Sequence, residues 1–145
     1  MLFMSEVIDK SYPWGYFDGS AAGDPKLCGA GGLIFITDQH YFSFKDGLGF
    51  GSNNFAELLG LKLLLSLSLE NNFKKLQIFD DSQLVINWVS GKYRIQNVQL
   101  AQILMDVNRL VDMFDSMVFM HIYREHNTSA DILAKEGANV MSGSW

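Results

Sequence analysis

From Tyr12 to about Gly49, aromatic and β-branched residues alternate with turn signals: WGYFDGSA, then AGDPKLCG, GGLIFIT, DQ and HYFSFKDG. That pattern predicts three consecutive antiparallel strands. After GSNN the period changes, and residues 54–69 are so uniformly apolar that the helix they predict must be buried on most sides, packed across the sheet. KLQIF is an apolar run of strand length. In the SQLVINWV that follows, Leu84, Val85, Trp88 and Val89 mark one face of a helix that Gly91 stops. Leu100, Ile103, Leu104, Val107, Leu110, Val111 and Phe114 recur at helical spacing and define the clearest helix of the chain. MVFMHIY predicts a last strand, after which Thr128 or Ser129 caps a final helix through ADILAKEGA. The order βββαβααβα describes an α/β fold with a mixed five-stranded sheet, three antiparallel strands extended by parallel ones and flanked by helices. Without repeats or a Pro- or Gly-rich linker, residues 12–140 read as one domain between aperiodic tails at 1–11 and 141–145.

Composition narrows the class. At 145 residues with 48% hydrophobic and 19% charged positions, the chain is long enough to bury a substantial core. A net charge of −5 argues against a protein that holds nucleic acid through a broad basic surface, because such affinity comes from Lys and Arg displacing counterions. A single cysteine, Cys28, forms no intramolecular disulfide and reads as a small packed residue in a reducing compartment. MLFMSEVIDK has no basic segment before its apolar residues, so it does not read as a secretory signal; the expectation is an intracellular protein, cytoplasmic or nuclear. The most apolar stretch, LLGLKLLLSLSL, contains Lys62 and is too short for a bilayer, which takes about 20 apolar residues. No membrane association is expected.

The candidate chemistry is carboxylate chemistry. Ligands of open α/β sheets gather at the carboxyl ends of parallel strands, and two acids occupy such ends: Asp18 in YFDGS and Asp81 in IFDDS. If the first and fourth strands are parallel neighbours, these side chains meet across a ladder about 4.8 Å wide. Glu57 shares a helical stripe with Leu61 and Leu64, where a charge requires a hydrogen bond, a proton or a cation. Asp131 stands near the start of the last helix, whose first turn returns toward the same edge. Each acid also has a plainer reading: Asp18 as a turn residue, Asp81 as a helix cap, and Asp131 as a first-turn acid facing the helix dipole.

Together, YFDGSAAGDPKLCGAGGLIF, GSNNFAELLGLKLLL, IFDDSQLVINWVSGKY and HIYREHNTSADILAK resemble a type 1 ribonuclease H domain of the plant, archaeal and reverse-transcriptase-linked kind, over roughly residues 14–137. Single motifs such as DG or AD are common; four in the right order with the right elements between them are specific. The resemblance implies a ribonuclease H-like fold with Asp18, Glu57, Asp81 and Asp131 as catalytic, metal-binding acids; Asp80 is the neighbour of Asp81 and is outside that set. It implies two Mg²⁺ ions, with Mn²⁺ as the alternative, since an all-carboxylate set suits hard cations better than zinc. One ion would activate water and the other would stabilise the leaving 3′ oxygen. Two such ions would bring the formal charge from −5 to −1, leaving hybrid binding weak and strongly dependent on metal and salt.

The activity so implied is endonucleolytic hydrolysis of the RNA strand of an RNA–DNA hybrid, by a monomer or a domain of a larger protein. Gly19, Asn54, Gln83, Arg124 and Asn127 are the expected substrate contacts: Asn54 and Gln83 as neutral readers of the 2′-hydroxyl, Gly19 for close backbone approach, Arg124 as a bidentate grip. Asn53 is expected to cap or orient the helix. His126 is a secondary candidate before the last acid, and Lys92, Tyr93 and Arg94 form a compact basic-aromatic patch that would meet the DNA strand or simply line a solvated turn. GAGGLIF leads into a strand and lacks the Lys and Ser/Thr of a phosphate loop, so close backbone packing is its reading. Two other functions fit the fold: a noncatalytic nucleic-acid-binding or interaction module, and a nuclease acting on DNA.

Overall fold

A computed structural model describes residues 8–141. Strands β1 (Trp14–Ala22), β2 (Leu27–Phe35) and β3 (Tyr41–Phe50) form the antiparallel meander. Helix α1 (Asn53–Glu70), strand β4 (Lys75–Asp80), helices α2 (Gln83–Val89) and α3 (Val98–Val111), strand β5 (Ser116–His121) and helix α4 (Thr128–Met141) complete the expected order. A single turn of 3-10 helix at Arg124–His126, which the periodicity did not reveal, precedes α4. The five strands lie in the order β3-β2-β1-β4-β5, with β1–β4 and β4–β5 parallel.

The two faces of the sheet are built differently. On one, Phe17, Ile34, Leu76 and Ile78 pack against Leu58, Leu61, Leu64 and Leu65 of α1 and against Ile103 and Val107 of α3. Burying each such aliphatic side chain contributes about 1.5–3 kcal/mol, and this cluster is the main source of stability. Helix α1 is buried on most sides, as its uniform composition demanded; its buried Ser68 hydroxyl donates to the Leu64 carbonyl at 2.8 Å. On the opposite face Trp14, Phe79 and Ile122 form a smaller aromatic cluster with Ile8, Tyr16, Phe35 and Met120.

Helix α4 descends onto that second face across β2 through a seam of small residues. A Cβ at Gly29 would fall 2.2 Å from the Ala134 carbonyl oxygen, and one at Gly31 would fall 2.4 Å from the Ala134 nitrogen. Backbone-to-backbone packing is therefore the role of GAGG, as its sequence context suggested.

Three sequence expectations change. Neither Thr128 nor Ser129 caps α4, because the helix begins at Thr128 and both lie inside its first turn. Asn53 is likewise inside α1, whose cap is Ser52, with Oγ accepting from the Phe55 N–H at 3.1 Å. Of the aperiodic tail assigned to 1–11, residues 1–7 lie outside the described residues, but Asp9 is held: its N–H donates to Gln77 Oε1 at 2.9 Å and its carbonyl accepts from Gln77 Nε2 at 2.6 Å. A buried glutamine had no visible partner in the sequence pattern. Of the tail assigned to 141–145, Met141 ends α4 and residues 142–145 lie outside the described residues.

Gly31→Ala should force α4 away from the sheet and destabilise the protein by about 1–3 kcal/mol, as overpacking does. Urea denaturation checks this; unchanged stability would contradict the close approach.

Candidate active site: a carboxylate cluster at one sheet edge

Register brings the first two acids together. The last parallel pair joining β1 and β4 is Tyr16 with Phe79, so two residues further on each path stand Asp18 and Asp81, on the same face. Ser82 caps α2, its Oγ accepting from the Val85 N–H at 3.2 Å, so the helix needs no cap from Asp81. The Asp81 carboxylate is free for other work. Its Oδ1 accepts from Asn127 Nδ2 at 2.9 Å, and the same amide donates to the Phe17 carbonyl at 2.9 Å. One buried asparagine thus fixes Asp81 relative to the end of β1.

Asp80 belongs to the opposite side of the pleat, the side of Leu76 and Ile78 that α1 covers. It is 1% exposed, and its Oδ2 accepts from the Ser82 N–H at 3.2 Å. Because both residues sit where the strand ends, one carboxylate oxygen from each of Asp18, Asp80 and Asp81 lies within 4.8 Å of the other two. Glu57 arrives from α1 with Oε1 accepting the Gly19 N–H at 3.1 Å, an N–H shared with Asp18 Oδ1 at 2.9 Å. Asp131, in the first turn of α4, lines the same cavity of about 450 Å³ and pairs with Lys135 at 2.9 Å.

Electrostatics record the crowding. Burial is the main cause that pushes the Asp18 carboxyl up to about 6, and the Asp81 charge adds to it. Burial, then the charge of Asp80, raises Glu57 well above the usual carboxylate range; burial, then Asp81 and Asp18, raises Asp80 likewise. Glu57 Oε2 and Asp80 Oδ1 are buried with no hydrogen-bond partner. An all-oxygen donor set with two such orphaned oxygens fits a hard divalent cation.

The remaining site candidates divide. Gly19, Asn54 and Arg124 line the acid cavity. The space a Gly19 Cβ would need is filled by α1, 2.4 Å from the Glu57 nitrogen, so strand-to-helix packing requires a glycine there. Asn127 is 2% exposed, which removes it as a substrate contact and makes it the tether of Asp81. Arg124 makes no bidentate grip on a carboxylate: only Nε approaches Asp81 Oδ2, at 3.6 Å, and the side chain is 89% exposed. Gln83 is exposed at the start of α2 and donates to Asn87 Oδ1 at 3.1 Å. His126 faces a different cavity, beside Tyr16 and Phe35. Tyr93 and Arg94 line a third with Trp88, Ile95 and Met105, and Lys92 lies exposed beside them. No described helix is long and apolar enough to cross a membrane.

With this geometry in view, comparison with known proteins is specific. Residues 16–137 match the model of the family described as Reverse transcriptase-like. Over 129 residues the chain is 26% identical to the bifunctional protein Rv2228c of Mycobacterium tuberculosis, covering 88% of this chain but 35% of that protein. It is 29% identical over 122 residues to Ribonuclease HI of Halobacterium salinarum, covering 83% of this chain and 61% of the relative. The crystal structure of the RNase H1 from that archaeon superposes with a TM-score of 0.83 at 27% identity, covering 89% of this chain and 98% of the other. LC11-RNase H1 in complex with RNA/DNA hybrid has the same fold, with a TM-score of 0.81 at 24% identity over 90% of this chain and 99% of the other. This chain spans about a third of the length of the mycobacterial relatives.

The raised acids set the sign of a pH effect. Asp18 holds its proton up to about pH 6 in the fold, against about 3.9 unfolded, so the stability it contributes is complete below pH 4 and lost as pH rises through 6. In chelator, the melting temperature should fall between pH 5 and pH 7, less steeply for Asp18→Asn and less steeply with Mg²⁺ added. A rise over that interval would contradict the crowded geometry.

Proposed function

The chain belongs to the Reverse transcriptase-like family as a type 1 ribonuclease H domain, and from that premise we propose that it is a metal-dependent endoribonuclease cutting the RNA strand of RNA–DNA hybrids. The observation that carries the reading is the meeting of Asp18, Asp80 and Asp81 oxygens within 4.8 Å at the edge where Glu57 also arrives. Carboxylates from separate segments converge there with no basic residue paired to Asp18 or Glu57 among the described residues. A solved relative of the same fold is a complex with RNA/DNA hybrid, which supports the choice of substrate.

In this reading Asp18, Glu57 and Asp81 would hold divalent cations, two Mg²⁺ or Mn²⁺ ions, with Asp131 completing the set from α4. Bound ions of this kind supply an activated water and neutralise charge on the phosphodiester. The chain's own residues do the positioning. Asn127 keeps the Asp81 carboxylate turned toward Asp18, and the Gly19 N–H holds Glu57 and Asp18 side by side. Lys135 restrains Asp131 at the cavity rim. Asn54, next to the acids, offers an amide to the 2′-hydroxyl, and exposed Arg124 offers its guanidinium to a phosphate. Tyr93 and Arg94, on a separate surface, suit the DNA strand through stacking and charge. The net charge of −5 makes binding depend on the ions and on low salt.

Labelled hybrid, duplex DNA and duplex RNA, each incubated with Mg²⁺, Mn²⁺ or chelator, test the proposal and separate it from a DNA-directed nuclease and a noncatalytic module. Only the hybrid should be cut, only with metal, leaving 5′-phosphate ends. Asp81→Asn should lower the rate by about 10³-fold or more while the protein stays folded, as loss of a principal electrostatic group does. Hybrid uncut under every metal condition would overturn it.

A further inference from the structure

The edge carries one carboxylate more than the four that the family resemblance assigns. Asp80 is almost wholly buried, yet only one of its oxygens has a partner: Oδ2 takes the Ser82 N–H, and Oδ1 takes none. Glu57 repeats the arrangement, with Oε1 on the Gly19 N–H and Oε2 unpartnered. Each residue therefore presents one buried, unpartnered carboxyl oxygen. None of the ion pairs among the described residues reaches either of them, since Arg124 approaches Asp81 and Lys135 approaches Asp131.

Holding the turn after β4 does not account for this residue. Accepting one backbone N–H needs a single neutral oxygen, which Asn or Ser would supply without bringing a charge into a dry, already acidic corner. The spacing offers a reason for the charge. Oxygens of Asp18, Asp80 and Asp81 all fall within 4.8 Å of one another, and two ligands on opposite sides of a cation with metal–oxygen bonds of about 2.1–2.4 Å stand about 4.2–4.8 Å apart. Asp80 thus lies within reach of an ion held by the other two.

We propose that Asp80 is an additional oxygen ligand of the cation site, forming with Glu57 an inner tier beneath the Asp18–Asp81 pair. This assignment rests on the metal-dependent reading of the site. It makes the site a five-carboxylate one, with tighter ion binding than Asp18, Glu57, Asp81 and Asp131 give without it. The alternation of β4 explains how the extra ligand is accommodated: Asp81 looks to the α4 side of the sheet and Asp80 to the α1 side, so the strand end delivers both neighbours to one ion from different directions.

Isothermal titration of the full chain with MnCl₂, with melting temperatures in chelator and in Mn²⁺, tests it in the unaltered protein and in Asp80→Asn, Asp80→Ser and Asp81→Asn. Both Asp80 variants keep an oxygen for the Ser82 N–H, so failure of one to fold leaves the other to be measured. Asp80→Asn should gain less melting temperature from Mn²⁺ than the unaltered protein does and should bind Mn²⁺ about 10- to 100-fold more weakly, as loss of a supporting group at a metal site does. Mn²⁺ affinity unchanged in the Asp80 variants but lost in Asp81→Asn would overturn the assignment of Asp80 and leave the metal site standing. Affinity unchanged in Asp81→Asn as well would overturn both.

Discussion

Carboxylates repel one another, and everything distinctive in this molecule follows from forcing several of them into a poorly solvated corner. A carboxylate pair a few ångströms apart with little water between them does not stay doubly ionised without compensation. Here the compensation within the chain is partial. Backbone N–H groups of Gly19 and Ser82 and the amide of Asn127 satisfy one oxygen each of several acids, while Glu57 Oε2 and Asp80 Oδ1 are left bare. Such an arrangement is unfavourable for stability alone, and its cost is what a bound cation removes.

The scaffold tolerates the cost because rigid elements impose the geometry from a distance. The β1–β4 ladder ends at Tyr16 and Phe79, which leaves Asp18 and Asp81 no choice but to emerge side by side. The α1 backbone lies so close to Gly19 that Glu57 is delivered to the same spot, and the large apolar cluster beneath α1 holds the helix there. On the far face the small-residue seam at Gly29 and Gly31 lets α4 sit close enough to bring Asp131 to the cavity. Packing energy collected across the whole sheet is concentrated on one edge.

Much of this was legible in the chain. Period-two and helical patterns gave the elements and their order, and Glu57 betrayed itself as a charge on an apolar stripe. What the pattern could not convey were partners fixed only by tertiary contact. Asn127 looked like a residue for substrate until burial showed its amide bridging Asp81 and the end of β1. Asp80 looked like a spare neighbour of Asp81, yet the run Leu76–Asp80 is buried on both faces, so position 80 had to be interior whatever its charge. Gly19 was read for close backbone approach, and the pattern did not show that α1 fills the place of its missing Cβ. The cap expected at Asn53 is Ser52, and Thr128 and Ser129 lie inside α4, in stretches where several neighbouring Ser, Thr and Asn residues compete and sequence alone does not rank them.

The most direct trial of the central idea, that these acids coexist because they share cations, is anomalous diffraction from crystals grown with Mn²⁺. The account predicts manganese density among Asp18, Glu57 and Asp81, about 2.2 Å from their oxygens. Crystals saturated with Mn²⁺ that show those carboxylates in place and no anomalous density between them would contradict it.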